Sequence, residues 1–351
     1  HLTPVFTLMP TPTPTARPRA TGRVTLSDVA ALAGVSPITV SRALRGERTV
    51  DPALAERVKE AASQLRYTPD PAARALASRH SSHVAVLIPM LSNALFVDLL
   101  EAVQRTLRPA GYQTLIGITH YNPDEEEQLL REQLQHRPAG LLVTGTDHSA
   151  TTRALIEGSG VPCVHVMELG NTPGVYCVGF SQHAAGQAIT EHLVQRGHKR
   201  IAFVAAQLDP RTLQRAEGYR ACLRQHGLYD AGLELLSPLP SSMALGSVLF
   251  EDLLREHPDC DAVFFCNDDL AQGGLLAALR LGVAVPQRVA VAGFNDLSGS
   301  DQMLPPLTTV RTPREAIGEA SARLLLALMR GETPPAHSID LGFELMLRAS
   351  S

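Results

Sequence analysis

Hydrophobic positions follow two rhythms along the chain, and the change from one to the other divides it. Between Thr25 and Tyr67, Ala30, Ala33, Val35, Val40, Leu44, Leu54, Val58 and Leu65 recur at spacings near three and four, which places apolar side chains on one face of a helix. The pattern predicts three short helices, over 26–33, 37–44 and 52–65. Ser36 before Pro37 and Asp51 before Pro52 give the second and third helices an N-cap followed by a proline where a missing N–H costs nothing. From His83 onward, strand-like runs at 84–89, 114–118, 140–144, 163–167, 201–205, 262–266 and 289–294 alternate with amphipathic stretches at 96–107, 124–136, 183–196, 212–226, 243–256 and 270–281. That alternation predicts an α/β body of doubly wound parallel sheets behind an all-α head. Two sheets are needed to use its length. Ligands of open parallel sheets bind beyond the carboxyl ends of the strands, so the loops after Pro89, Thr144, Ala205, Cys266 and Phe294 are where a site is expected.

Two segments fall outside both rhythms. Residues 1–22 are rich in Thr and Pro with no hydrophobic period and read as a tail. Residues 69–82 begin with Pro69-Asp70-Pro71 and hold one short helical pattern at 72–78, which reads as a linker.

The head carries the chemistry of a helix-turn-helix. Ala30 is small where two helices cross, Gly34 permits the tight turn, Val35 plugs the space beneath it, and Val40 faces inward. Pro37, Ile38, Ser41 and Arg42 then point outward from the second helix, which in such motifs enters the major groove. Arg42 suits guanine, Pro37 and Ile38 suit a thymine methyl, and Thr25, Ser36, Thr39 and Ser41 suit phosphate oxygens. Charge agrees with this. Residues 1–80 hold eleven Arg and Lys against six Asp and Glu, a net of +5 in a chain whose total is −4. A basic head on an acidic body brings one end to a phosphate backbone.

Asp28-Val-Ala-Ala-Leu-Ala-Gly-Val-Ser36, Thr39-Val-Ser-Arg42, Leu65-Arg-Tyr67-Thr-Pro69 and Ala73-Arg-Ala-Leu76 resemble the lactose/galactose repressor (LacI/GalR) family, and the resemblance runs from Val24 to the C-terminus. It implies a helix-turn-helix at 23–68 with Tyr67 among its DNA contacts. It also implies a hinge at 69–82 that folds on the operator, with Leu76 wedged between the central base pairs. The body, 83–351, is implied to be two subdomains like periplasmic binding proteins, 83–197 with 308–333 and 198–307 with 334–351. A small effector between them would control the DNA affinity of a homodimer on a pseudo-palindromic operator.

For the effector, Arg215, Asn267 and Asn295 match contact positions of the family. Arg211 stands nearby, and Ser92, Asn93 and Phe96 are expected to form the opposite lip. The family often has aspartate where this chain has Asn295. Losing that anion beside two arginines favours an acidic ligand, because guanidinium pairs a carboxylate through two parallel bonds. Gly111-Tyr-Gln-Thr114, Leu208-Asp-Pro-Arg-Thr212, Arg311-Thr-Pro-Arg-Glu315 and Asp340-Leu-Gly-Phe343 resemble the gluconate-utilisation repressor branch, which implies a sugar acid.

Composition narrows the alternatives. Hydrophobic residues make up 44% and charged residues 19%, a globular balance, and no apolar run is long enough to span a membrane. The five cysteines lack Cys-x-x-Cys spacing, so neither a disulfide framework nor a zinc site is expected, and a cytoplasmic setting is. His192 and His198 are six apart and make no convincing ligand pair. Nucleophile-elbow, phosphate-loop and dinucleotide motifs are absent from the sequence. An enzyme and an exported sugar-binding protein are therefore the weaker readings, and no cofactor is expected.

Overall fold

The computed structural model describes residues 24–47, 49–68, 81–92 and 94–351. The chain divides into two compact units, 1–79 and 80–351. The expected tail, nearly all of the linker, Leu76 and Asn93 lie outside the described residues.

The first unit is a three-helix head: α1 (Leu26–Ala33), α2 (Pro37–Leu44) and α3 (Pro52–Gln64). Thr25 and Asp28 form a capping box on α1, Ser36 caps α2 through Thr39 N–H, and Asp51 caps α3 through Ala53 and Leu54 N–H. Gly34 takes the left-handed conformation at φ 65°, where an L side chain would be strained. Val35 N–H then reaches Ala30 O at 3.1 Å, and Arg57 Nη2 donates to Ala33 O at 2.7 Å. Two of α1's final carbonyls are thereby satisfied. Val29, Ala30, Ala33, Val40, Ala43, Val58, Ala61 and Ala62 form its core.

The second unit holds two parallel sheets. The first has the order β11-β5-β4-β3-β1-β2, built from β1 (His83–Ile88), β2 (Gln113–Ile118), β3 (Gly140–Thr144), β4 (Cys163–Val166), β5 (Tyr176–Gly179) and β11 (Ser338–Asp340). Helices α4 (Ala94–Leu107), α5 (Pro123–Gln135), α6 (Ala150–Ser159) and α11 (Arg314–Met329) belong with it. The second sheet runs β7-β6-β8-β9, with β6 (Ile201–Ala206), β7 (Glu234–Ser237), β8 (Ala262–Phe265) and β9 (Ala290–Ala292). It carries α7 (Gln182–Gln195), α8 (Pro210–Gln225), α9 (Met243–Glu256) and α10 (Asp268–Leu281). β10 (Thr309–Arg311) pairs antiparallel with β12 (Glu344–Met346) and bridges the β9 side at Ala292–Thr308 and Asn295–Arg311.

These pairings move the expected subdomain boundaries. α7 packs on α8, so the first crossing between lobes follows Gly179 rather than Gly197. β11 pairs with β5, so the last crossing follows Asp340 rather than Thr333. The middle one follows Arg311, a few residues beyond Leu307. The reason for the first shift lies in two glycines. A Cβ on Gly186 would come 2.4 Å from Arg215 O, and one on Gly218 would come 2.1 Å from His183 O. Only bare backbone lets α7 and α8 touch so closely.

Candidate functional site

On the head, α2 presents Pro37, Ile38 and Arg42 to solvent. Ile38 is 66% exposed, which a helix of eight residues gains nothing from unless an apolar surface covers it. Arg42 Nε lies 3.7 Å from Glu47 Oε2, and Arg45 Nη2 lies 2.6 Å from Glu47 Oε1. One carboxylate thus holds two guanidinium groups side by side. Ser41 is half-buried and its hydroxyl accepts from Arg45 Nη1 at 2.9 Å. Thr25 and Ser36 are exposed with their hydroxyls engaged as caps, and Thr39 is half-buried against Ser36. Tyr67, expected to face DNA, is half-buried and packs against the head's core.

On the body, a cleft of about 400 Å³ opens where strands of both sheets end. Pro89 follows β1, Tyr121 follows β2, Thr144 ends β3, Glu168 follows β4, Gln207 follows β6 and Pro238 follows β7, and all line it. His120, Tyr121, Gln207, Asn295 and Asp296 have positive φ without being glycine. Such conformations cluster where surrounding structure holds strained backbone for a purpose.

Arg211 lines this cleft and is 7% exposed. Its Nη2 lies 3.0 Å from Asp209 Oδ1 and its Nη1 lies 3.7 Å from Glu168 Oε2. Burial works against its charge, but Asp209, Tyr121 and Glu168 hold its pKa above the ordinary arginine value. Glu168 accepts from Thr146 N–H at 3.1 Å and from Gln214 Nε2 at 2.5 Å. Burial first, then the Asp209 carboxylate, pushes the Tyr121 phenol up to about 12, so it stays a neutral donor. A Cβ on Gly145, whose φ is +82°, would sit 2.8 Å from both Arg211 Nη1 and Glu168 Oε2, so a side chain there would displace this pair.

Arg215 stands one turn along α8. Its Nε donates to Gln182 Oε1 at 2.8 Å, and its Nη1 donates to Cys266 O at 2.7 Å and to Asn267 Oδ1 at 3.0 Å. Its guanidinium lies 3.9 Å from the Phe294 ring centroid, and burial lowers its pKa. Nη2 makes no hydrogen bond among the described residues. Asn295 Nδ2 donates to the same Asn267 Oδ1 at 3.1 Å, while Asn295 Oδ1 is buried with no partner among the described residues. A buried acceptor left this way invites a ligand donor. The structure thus joins Arg215, Asn267 and Asn295 in one polar chain, with Arg211 as the arginine that lines the open cleft. It places Phe96 in the hydrophobic core at 1% exposure, and Ser92 on the surface with its hydroxyl 3.4 Å from Met90 Sδ. Neither lines the cleft. Sequence reasoning missed Tyr121, Glu168, Asp209 and Gln214. Tyr121 and Glu168 follow strand-like runs within a few residues, which was the available signal.

Residues 25–70 match the bacterial regulatory proteins of the lacI family, and residues 190–351 match the periplasmic binding protein-like domain. The chain is 55% identical over 333 residues to the HTH-type transcriptional regulator GntR of Pseudomonas aeruginosa, covering 95% of this chain and 97% of that one. It is 36% identical over 326 residues to the Escherichia coli regulator of the same name, covering 92% and 97%. Among solved structures, the transcription regulator GntR from Chromobacterium violaceum superposes with a TM-score of 0.75 at 51% identity, over 77% of this chain and 99% of that one. The lac repressor dimer bound to operator and an anti-inducer superposes at 0.83 with 25% identity, over 93% and 99%. No helix among the described residues is long and apolar enough to cross a membrane. With its helix-turn-helix head and its two-sheet body, the chain belongs to the lacI family of bacterial regulatory proteins and is a DNA-binding transcription regulator.

Proposed function

We propose that this regulator represses carbohydrate-utilisation genes and that a sugar acid of the gluconate class, held in the cleft, sets its affinity for the operator. The observation that carries this reading is the pair of guanidinium groups one turn apart on α8, Arg211 in the cleft and Arg215 behind it, whose Nη2 has no hydrogen bond among the described residues. A ligand carboxylate would exchange with Asp209 or Glu168 on Arg211 and meet Arg215 through Nη2. Glu168 and Asp209 supply the acceptors a polyol chain needs, and the neutral Asn295 adds nothing to their negative charge. Binding that favours one angle between the lobes shifts the population toward it, and DNA affinity follows by linkage.

The likeness to the operator-bound lac repressor dimer supports a homodimer on a pseudo-palindromic operator. Pro37, Ile38 and Arg42 read bases, Thr25, Ser36, Thr39 and Ser41 meet phosphates, and Leu76 wedges at the dyad. The test is operator affinity at fixed salt, titrated with gluconate, related sugar acids and neutral sugars, for wild type and for Arg211→Ala and Arg215→Ala. Wild type responds to acids only, and both variants bind operator normally but lose the response. A response to neutral sugars alone overturns the acid assignment. A wild-type response in both variants removes the arginines from the site.

A further inference from the structure

Apart from the cleft, one cluster brings together three side chains of the kind that bind transition metals. Glu191 comes from α7, Cys222 from α8, and His226 caps the C-terminal end of α8. Cys222 and His226 are four residues apart, which puts both on one helical face. The close crossing of α7 and α8 brings Glu191 to that face. Glu191 Oε2 lies 2.7 Å from His226 Nε2 and 3.4 Å from Cys222 Sγ, and the three donor atoms all lie within 4.8 Å of one another.

We propose that Glu191, Cys222 and His226 form a binding site for a Zn²⁺-class cation, with a water in the fourth position. A thiolate, an imidazole and a carboxylate are the donor types zinc takes, whereas calcium and magnesium demand oxygen. Bonds of roughly 2.0–2.3 Å in a tetrahedron separate neighbouring ligand atoms by roughly 3.3–3.6 Å. The sulfur–oxygen pair already has that separation, and the nitrogen–oxygen pair reaches it by opening about half an ångström. The fourth position has access to solvent. Cys222 is buried, but His226 and Glu191 are about one third exposed, with side-chain exposures of 37% and 35%.

Proton balance follows from the surroundings of the thiol. The Cys222 Sγ–H donates to Glu191 Oε2 at 3.4 Å, so the metal-free site holds the sulfur as a thiol. Binding forms the metal–sulfur bond and releases that proton to solvent, and the imidazole binds through its neutral nitrogen. The helix that carries Arg211 and Arg215 at its start is then tied to α7 at its end, on the order of 20 Å away at 1.5 Å per residue. The sequence hid this site because its ligand pair is Cys-x-x-x-His rather than Cys-x-x-Cys, and its third ligand lies 31 residues upstream.

The test uses the full chain, stripped with a chelator and titrated with ZnCl₂ and separately with CoCl₂. One equivalent of zinc binds, with a heat that varies with the buffer because a proton is released. Cobalt gives the thiolate charge-transfer band and the intense visible bands of a tetrahedral site. Cys222→Ser loses the charge-transfer band, and His226→Ala, at an exposed position, weakens zinc at least about tenfold. Cys266→Ser keeps both. Zinc binding that is equal in wild type and His226→Ala, or a thiolate band that survives Cys222→Ser, overturns the proposal. MgCl₂ binding with the affinity of zinc overturns it too.

Discussion

His165 is the residue whose titration reads most directly on stability. It is 7% exposed, its Nδ1 lies 2.9 Å from Gly145 O and 3.2 Å from His148 Nε2, and His148 Nδ1 pairs with Glu126 at 2.7 Å. Burial lowers its pKa to about 4. The folded chain therefore takes up its proton later than the unfolded chain as the pH falls, and stability is lost between about pH 6.5 and pH 4. The full shift corresponds to on the order of 3 kcal/mol. Asp268 acts in the opposite sense over part of the same window, since burial raises it to about 6, so the informative quantity is a difference. His165→Asn keeps a donor for Gly145 O. Denaturant unfolding at several pH values should show the stability gap between wild type and variant narrowing as the pH falls, and a constant gap would mean His165 titrates normally. Arg42 poses the matching question on the head. If it meets a base edge, Arg42→Ala costs roughly 1–3 kcal/mol and relaxes preference at one position of each half-site. An equal loss on all sequences, with a shallower salt dependence, assigns it to phosphate instead.

Among the elements, legibility tracked length and side-chain size. The three head helices were readable because Ser36-Pro37 and Asp51-Pro52 announce their starts and Gly34 announces the turn. Thr25, which suits a phosphate contact, also forms a capping box with Asp28. β5, β7, β10, β11 and β12 have three or four residues each, too few for a period to register, whereas the equally short β4, β8 and β9 lie within longer apolar runs that mark them. α11 escaped because small residues face its neighbours, as at Gly318, where a Cβ would lie 2.6 Å from Leu99 O. The α7–α8 crossing has the same character. Gly218→Ala places a methyl against backbone atoms that cannot give way, and overpacking of this kind costs typically 1–3 kcal/mol. Thermal unfolding checks it against Gly227→Ala, at a helix end where a Cβ meets nothing within 4 Å. Gly227 has φ +66°, so the control reports backbone strain without the clash. The Gly218 variant should unfold at the lower temperature and respond less to effector, since α8 carries both arginines.

At the scale of the whole molecule, the proposed function couples the DNA affinity of a basic head to a ligand held in the two-sheet body. A ligand that binds only the folded body raises its melting temperature by mass action, by about 2.7 kcal/mol of stability at a hundred times the dissociation constant. Gluconate should produce that shift in wild type and a much smaller one in Arg211→Ala. A neutral sugar that shifts both equally would place the ligand off the arginines. Footprinting should show two half-sites related by a dyad, because a twofold dimer presents two identical recognition helices. A single asymmetric half-site rules out the dimeric reading. Leu76→Ala should weaken specific binding far more than non-specific binding, and equal losses would mark a structural leucine.

The sequence alone determined the division into an α-helical head and an α/β body, the caps and turn of the head, its positive charge, and the family. Those properties are local: a cap, a glycine turn or a hydrophobic period is written in residues a few positions apart. Tertiary structure decided which sheet each late strand joins and therefore where the lobes begin and end. It placed Phe96 in the core and Tyr67 against the head's interior. It set Arg211 in the cleft among Tyr121, Glu168 and Asp209, which come from the ends of three different strands. It also brought Glu191 to Cys222 and His226. These outcomes depend on which distant segments a parallel sheet makes neighbours and how closely two helices can cross, and spacing along the chain records neither.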